Sequence, residues 1–389
     1  MPLRLVSFAL MLAAVFLLVT ANGILSTLVP FRAKIEGFSD LVVGFIGSSF
    51  YAGMLGGAVL TPPLVRRAGH VGGFAVCSLS GAIAALAMPA LIQPIPWIVL
   101  RFLIGFSLTG LYTLVESWLS GASDNTSRGR VLGICSVAQY AAWAAGNQIF
   151  ILADPARFVL FGVAAVLFVA SALPFLLLRE TPPGRPKNSS LDLVWVFRTA
   201  PAAFAAALLT GVANGPLYAL SPAYGAEVGF SASDVGVMMI AVTIGSAAFQ
   251  VPNGWLSDRL DRRRLLASLA AVAAVAEIVL GGCGVVVPLL AVYALAFVIG
   301  AADAAQYYVA AAHAVDRCGP DQAVMVMAAM IVLYGVGAIL GPPIASTIMS
   351  IAGAPALYLF QGAVHVALAA FVLRQILLKP APVQAAAGR

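Results

Sequence analysis

The sequence predicts an all-α membrane protein with twelve transmembrane helices in two parallel six-helix repeats. Three observations carry that prediction: an apolar composition, an internal duplication and a one-sided spread of positive charge. Of the 389 residues, 62% are hydrophobic and 9% charged, and the mean hydropathy is +1.01. A soluble domain carries about 25% charged residues, so a surface this poor in charge is a surface for lipid.

The duplication is read directly. ANGILSTLVP, Ala21 to Pro30, recurs as ANGPLYALSP, Ala213 to Pro222, with six of ten positions identical. Gly37-Phe38-Ser39 returns as Gly229-Phe230-Ser231 and Val43-Gly44 as Val235-Gly236, at the same offset of 192. FLIG, Phe102 to Gly105, is echoed by FVIG, Phe297 to Gly300, and Tyr112 and Gly146 by Tyr307 and Gly341, at an offset of 195. One unit of about half the chain is used twice.

A spanning helix needs about 20 apolar residues. Breaks at Gly, Pro and charge clusters leave twelve such stretches: 5–29, 40–65, 71–93, 96–120, 129–152, 156–179, 199–222, 233–256, 264–284, 286–312, 322–350 and 353–377. The first is longer than the apolar core of a signal peptide and no small-residue cleavage site follows, so it reads as a membrane helix. Pro30 and Pro222 are expected to end their helices. The polar, Pro-rich stretch from Arg179 to Arg198 divides the chain into a six-helix bundle at 1–179, a linker at 180–198 and a second bundle at 199–389. Cys77, Cys135, Cys283 and Cys318 lie in or beside apolar runs without metal-ligand spacing and read as packing residues.

Orientation follows from Lys and Arg. With the N-terminus inside, 17 of the 21 basic residues fall in inner loops and tails, and only Arg32, Lys34 and Arg157 fall outside; Arg101 lies in or at the edge of the fourth span. The basic charge is therefore a topology signal and not a nucleic-acid footprint. Six helices per repeat is an even number, so both halves enter the membrane from the same side, as parallel repeats. No P-loop, zincin or nucleophile-elbow motif is present in the sequence, and no cofactor or resident metal is expected. His70, His313 and His365 read as scattered.

Between spans eight and nine stands NGWLSDRLDRRRLL, Asn253 to Leu266. It resembles the major facilitator loop G-x-L-x-D-R-x-G-R-R. Gly254, Leu256, Asp258, Arg259, Arg262 and Arg263 fit, and Asp261 occupies the place of the usual second glycine. A carboxylate at a helix end can pair with arginine and with a neighbouring helix N-terminus, as a latch that breaks and reforms. At the equivalent place in the first repeat, PPLVRRAGHVG puts Arg66 where the acid belongs, followed by Arg67 and Gly69, so the first latch is degenerate. With RFLIGFSLTGLYTLVESWL and RGRVLG around the fourth span, GPLYALSPAY in the seventh and GPPIASTIM in the eleventh, the chain resembles the YcaD-like branch of the major facilitators.

The resemblance implies a bacterial inner-membrane secondary transporter with both termini cytoplasmic, acting on a small-molecule substrate among membrane lipids and driven by a proton gradient. It is expected to be a monomer. It also implies that spans 1, 4, 7 and 10 line a central cavity. Riboflavin or copper import, lipid flipping and a non-transporting sensor are alternatives on the same scaffold. Soft-ligand spacing for copper is absent from the sequence: Met325, Met327 and Met330 have no His beside them.

Polar residues concentrate in the implied cavity spans: Asn22; Arg101, Tyr112 and Glu116; Asn214 and Tyr218; Asp303, Gln306 and Tyr307. Charges inside a membrane cost about 2.5–3.5 kcal/mol on insertion scales and mark pathways or relays. Asp303, Gln306 and Tyr307, spaced i, i+3, i+4, share one helix face. Asp303 suits a proton carrier or cation-binding group, or a buried acid paired for structure. Arg101 reads as a coupling residue or as an arginine snorkelling to the interface. Glu116 is expected at an inner gate with Arg128, Arg130 or the Arg66/Arg67 loop. Asn22 and Asn214 are symmetry mates that bind solute or join helices. Glu277, in the ninth span, has no evident partner in the sequence.

The charge split makes a direct prediction. In a cysteine-free background, Asn188→Cys should resist a membrane-impermeant maleimide in intact cells; ready labelling would overturn the orientation.

Overall fold

A computed structural model describes residues 2–122, 128–174, 192–283, 288–319 and 322–378. Among them there is no strand. The helices in chain order are α1 Pro2–Ile35, α2 Asp40–Ala87, α3 Pro94–Ala122, α4 Arg128–Ile151, α5 Val159–Ala170, α6 Leu193–Thr199, α7 Pro201–Glu227, α8 Ala232–Arg259, α9 Arg262–Cys283, α10 Leu289–Val315, α11 Ala323–Ala352 and α12 Ala356–Leu378. Nine of the described helices are long and apolar enough to cross a membrane.

α2 makes two passes. Gly69 sits inside it at φ 72°, ψ 175°, a conformation that suits glycine because it lacks a Cβ. Gly73 packs back against Val65, eight residues earlier. Those two would stand about 12 Å apart in a straight helix, so the chain folds back on itself at Gly69. α4 is 24 residues long, enough for a pass at 1.5 Å per residue. α5 occupies the sixth span. The expected linker ends in a short helix, α6, whose N-cap Asp192 accepts from the Trp195 N–H.

The expectation that Pro30 and Pro222 end their helices is corrected. Both lie inside, and α1 and α7 continue to Ile35 and Glu227. A proline removes one N–H, a loss that membrane helices absorb through packed neighbours. The stop comes later, at glycine. Gly37 and Gly229 have φ of 77° and 86°. Phe38 N–H bonds the Ala33 carbonyl at 2.9 Å, and Phe230 N–H bonds that of Gly225 at 2.8 Å. That six-to-one bond is the Schellman stop. Ser39 and Ser231 then cap α2 and α8, each accepting a backbone N–H three residues on, and Asp234 completes a capping box with Ser231. The duplicated Gly-Phe-Ser is one helix stop followed by one helix start.

Close backbone approach builds each half. A Cβ on Gly53 would overlap the Phe102 carbonyl oxygen, and one on Gly105 that of Phe50, locking α2 to α3. In the second half, Gly245 and Gly300 meet the carbonyls of Phe297 and Val242 in the same way, locking α8 to α10. The halves meet through a second pair of equivalent glycines. Gly44 of α2 lies on Ser346 and Pro342 of α11, and Gly236 of α8 on Ile151 of α4. Ser48 donates to the Ile339 carbonyl at 2.6 Å. At the same end of the bundle Lys34 pairs with Asp40 at 2.6 Å and with Glu227 of the other half at 3.2 Å. One apolar core runs through both halves and a second lies within the second half, while large apolar side chains such as Ile95, Val251, Leu290 and Ile351 stand exposed as a lipid-facing coat.

Gly300→Ala should destabilise by about 1–3 kcal/mol through overpacking and lower the melting temperature in detergent. Gly282→Ala, which meets nothing within 4 Å, should leave it unchanged. Equal effects would refute the carbonyl contact as the constraint.

Candidate functional site

Half-buried aromatic residues from both halves meet mid-bundle. Tyr51 of α2, Tyr218 of α7 and Tyr334 of α11 are each half-buried and within electrostatic reach of one another. Trp143 of α4 meets Tyr218 edge-on at 5.7 Å, and Tyr307 of α10 meets Tyr334 at 5.3 Å. Tyr140 donates across the halves to Gln250 Oε1 at 3.1 Å. Asn214 is buried and hydrogen-bonds Tyr334, while Asn22 is buried in α1. Tyr112 is half-buried and packs on the first-half core. The hydroxyl of Tyr307, the Trp143 indole N–H and one oxygen each of Asn22 and Asn214 have no hydrogen-bond partner among the described residues. Rings with spare donors and acceptors suit an organic solute that stacks and hydrogen-bonds.

Arg101 is not at the edge of its helix. α3 begins at Pro94, so Arg101 is two turns in, 5% exposed, with its guanidinium 4.3 Å from the Phe50 ring centroid. A cation over an aromatic face in a dry site is well stabilised, and this burial overturns the snorkelling alternative. Its Nη1 has no hydrogen-bond partner among the described residues.

The second half holds a polar core. Thr210 donates to Gln306 Oε1 at 3.3 Å, and Gln306 Nε2 donates to Asp303 Oδ1 at 3.2 Å. The shared face of Asp303 and Gln306 is thus seen directly. Asp303 does not stand alone behind it. His365 of α12 puts Nε2 3.2 Å from Asp303 Oδ1 and Nδ1 2.7 Å from Glu277 Oε2. The Nδ1 contact is a hydrogen bond. The Nε2 contact has ion-pair distance without hydrogen-bond alignment. Glu277 and His365 are both fully buried. The sequence reading missed this cluster, taking the histidines as scattered and Glu277 as unpartnered; the cost of a lone buried charge was the signal that demanded a partner.

At the opposite end from Lys34 the α8–α9 turn spreads its acid–arginine pairing over several residues. The Asp258 side chain is 79% exposed and only 3.9 Å from Arg262, a pair worth little. Arg262 instead reaches Asp316 after α10, at 3.0 Å. Buried Arg263 forks onto Asp261, with Nη2 to Oδ2 at 2.9 Å and the Arg263 N–H to Oδ1 at 2.9 Å. Arg259 stacks on Trp255 at 3.9 Å, and Gly254 is exposed. Arg66 and Arg67 are exposed at the end of the first arm of α2. The side chains of Glu116, Arg128 and Arg130 lie outside the described residues.

The Major Facilitator Superfamily model matches residues 11–228 and again 202–389. The chain belongs to that superfamily. The doubled match is the duplication seen from outside. The chain is 28% identical to the MFS-type transporter YcaD of Escherichia fergusonii, over 87% of its own length and 88% of that relative. It is 26% identical to YcaD of an Escherichia coli strain over 342 residues. It therefore falls in the YcaD-like branch of the major facilitators. Among solved structures it resembles the nucleoside transporter NupG with a TM-score of 0.80 at 16% identity, covering 97% of this chain and 99% of that one. It resembles an inward-facing, occupied bacterial homologue of the human lysosomal transporter Spinster at TM-score 0.76 and 14% identity, covering 98% and 100%. These likenesses establish the fold. This major facilitator is a multi-pass solute transporter of the bacterial inner membrane.

Asp261 yields a pH test. Burial works against its charge, but the Arg263 guanidinium and N–H outweigh it and hold the carboxyl below its ordinary value of 3.8. A depressed folded-state value stabilises above the unfolded one and is lost as pH falls through it. Asp261→Asn should therefore melt below wild type at pH 7, by about 1 kcal/mol, with the gap closing below pH 4. Asp258→Asn should melt as wild type does. A larger loss for Asp258→Asn would restore the expected latch.

Proposed function

We propose that this chain is a proton-coupled secondary transporter that moves a mid-sized, neutral or weakly charged organic solute by alternating access. The observation that carries the reading is Asp303, a buried carboxyl on α10 that contacts Gln306 and, through it, Thr210 of α7. It stands behind a site of rings and amides from both halves. Arg101 and Glu116 are the other coupling candidates. Asn22, Tyr112, Asn214, Tyr218, Gln306 and Tyr307 are assigned to the solute. A fucose:proton symporter shares the fold at TM-score 0.59 and 16% identity, so the scaffold is compatible with proton drive.

The two bundles, 1–179 and 199–389, rock about the site, joined by the linker at 180–198. Both termini and the linker lie in the cytoplasm. In that orientation the Lys34 end faces outward and is sealed, and the protein is closed to the outside. The arginine-rich α8–α9 turn, with Gly254, Asp258, Arg259, Arg262 and Arg263, forms the inner gate together with Arg66, Arg67, Arg128 and Arg130.

A metabolite screen for solutes that raise the melting temperature supplies the substrate. In proteoliposomes, Asp303→Asn should then keep solute counterflow and lose accumulation. A proton moving down 100 mV supplies about 2.3 kcal/mol, roughly fortyfold in concentration at about 1.4 kcal/mol per decade. The variant's steady-state ratio should fall from that toward one. Undiminished uphill accumulation would sink the assignment.

A further inference from the structure

Asp303 is one end of a larger device. Glu277 on α9 and His365 on α12 pack against it, while Gln306 ties it to Thr210 of α7. One oxygen of each acid and a ring nitrogen lie within 4.8 Å of one another. The ring is held firmly at Nδ1, 2.7 Å from Glu277, and loosely at Nε2, 3.2 Å from Asp303 and out of line. Glu277 Oε1 and Asp303 Oδ2 have no hydrogen-bond partner among the described residues.

The surroundings limit what charge the cluster can carry. The charged groups acting on Asp303 are His365 and Glu277. Gln306 of α10 bonds it, and Tyr218 of α7 and Tyr334 of α11 are within electrostatic reach. Tyr358 of α12 is within reach of Glu277. Uncompensated charge in such a place is costly. With a neutral ring and both acids ionised the cluster carries two negative charges. With the ring as imidazolium, or with one acid protonated beside a neutral ring, it carries one, and one further proton makes it neutral.

We propose that Glu277 and His365 form a permanent ion pair that sets how tightly Asp303 holds the transported proton. Glu277 is a positioning residue. Its carboxylate keeps the ring charged and fixed. Asp303 is the exchanging group, because its contact to the ring is the unaligned one and its other contacts lead to α7. In the loading step, a hydronium ion at the cleft gives its proton to Asp303, forming the carboxyl O–H and leaving water. In the release step, the same proton returns to water on the other side. The cluster alternates between one negative charge and none. This inference rests on the coupling reading of Asp303.

The probe is the proton itself, read by infrared difference spectra of purified protein titrated between about pH 8 and 5. Wild type should gain one carboxylic-acid band on acidification. That band should vanish in Asp303→Asn. An imidazolium signal, assigned by its loss in His365→Gln, should persist across the range. Glu277→Gln removes a negative charge from both the ring and the exchanging acid, so the imidazolium signal should weaken at the alkaline end of the range and the midpoint of the acid band should move about 1–3 units to lower pH. Glu277→Asp should bring it back. A role in packing alone would lower the melting temperature and leave the midpoint in place, and an unmoved midpoint overturns the proposal. Should Glu277→Gln fail to fold, the wild-type spectrum still decides: a neutral ring throughout, or two acid bands, refutes it. A titration abolished by a chelator would assign the cluster to a divalent cation and overturn it too. Uphill uptake by Asp303→Asn would overturn the coupling reading without touching these spectra. An unmoved midpoint would leave that reading standing.

Discussion

Two helix backbones can touch only where side chains are missing, and this transporter depends on that constraint. In lipid, helices gain nothing from hiding apolar surface from one another, so association falls to close packing and hydrogen bonds. Gly53 and Gly105 bring α2 onto α3, and Gly245 and Gly300 bring α8 onto α10, each against a carbonyl oxygen. The positions are related by the repeat. Duplication thus copied a contact geometry rather than a list of residues, and the surrounding sequence was free to drift.

That geometry explains what could be read in advance. The twelve passes and the parallel halves were legible because each has a local meaning, in apolar length and charge bias; Gly-Phe-Ser was legible as a repeat, and the structure adds that it is a helix stop and cap. Pro30 and Pro222 misled because proline's cost is set by what surrounds it, and here packed helices absorb the missing N–H. At Asp258 the fitted motif gave the residue types and not the distance between side chains: its carboxylate stands 3.9 Å from Arg262. Asp261, at the position that broke the pattern, holds Arg263. The Glu277–His365 pair was illegible for another reason. Its members are 88 residues apart, on helices outside the spans expected to line the cavity, and no periodicity joins them.

The two halves have diverged in chemistry while keeping their frame. Among the described residues the first half contributes one buried cation, Arg101, stacked on Phe50. The second contributes the buried acids, Asp303 and Glu277, and the imidazole between them. Between the two lies the aromatic belt, with Tyr51 and Trp143 from one side and Tyr218 and Tyr334 from the other. Opposite charges are thus held on either side of the aromatic belt, each buried in its own half. A polar solute between them would lie along the field that they set up.

Lys34 has two carboxylate partners, Asp40 in its own half and Glu227 in the other. In a rocking motion that parts the halves here, the ammonium would give up Glu227 and keep Asp40. It is therefore never stripped of a counter-ion while it enters or leaves water. Most of the electrostatic cost of opening is avoided, because the charge is handed over and not exposed. Such a closure behaves like a magnetic clasp: firm at contact, weak once parted, and loosened by added electrolyte in proportion to how much of its hold is charge.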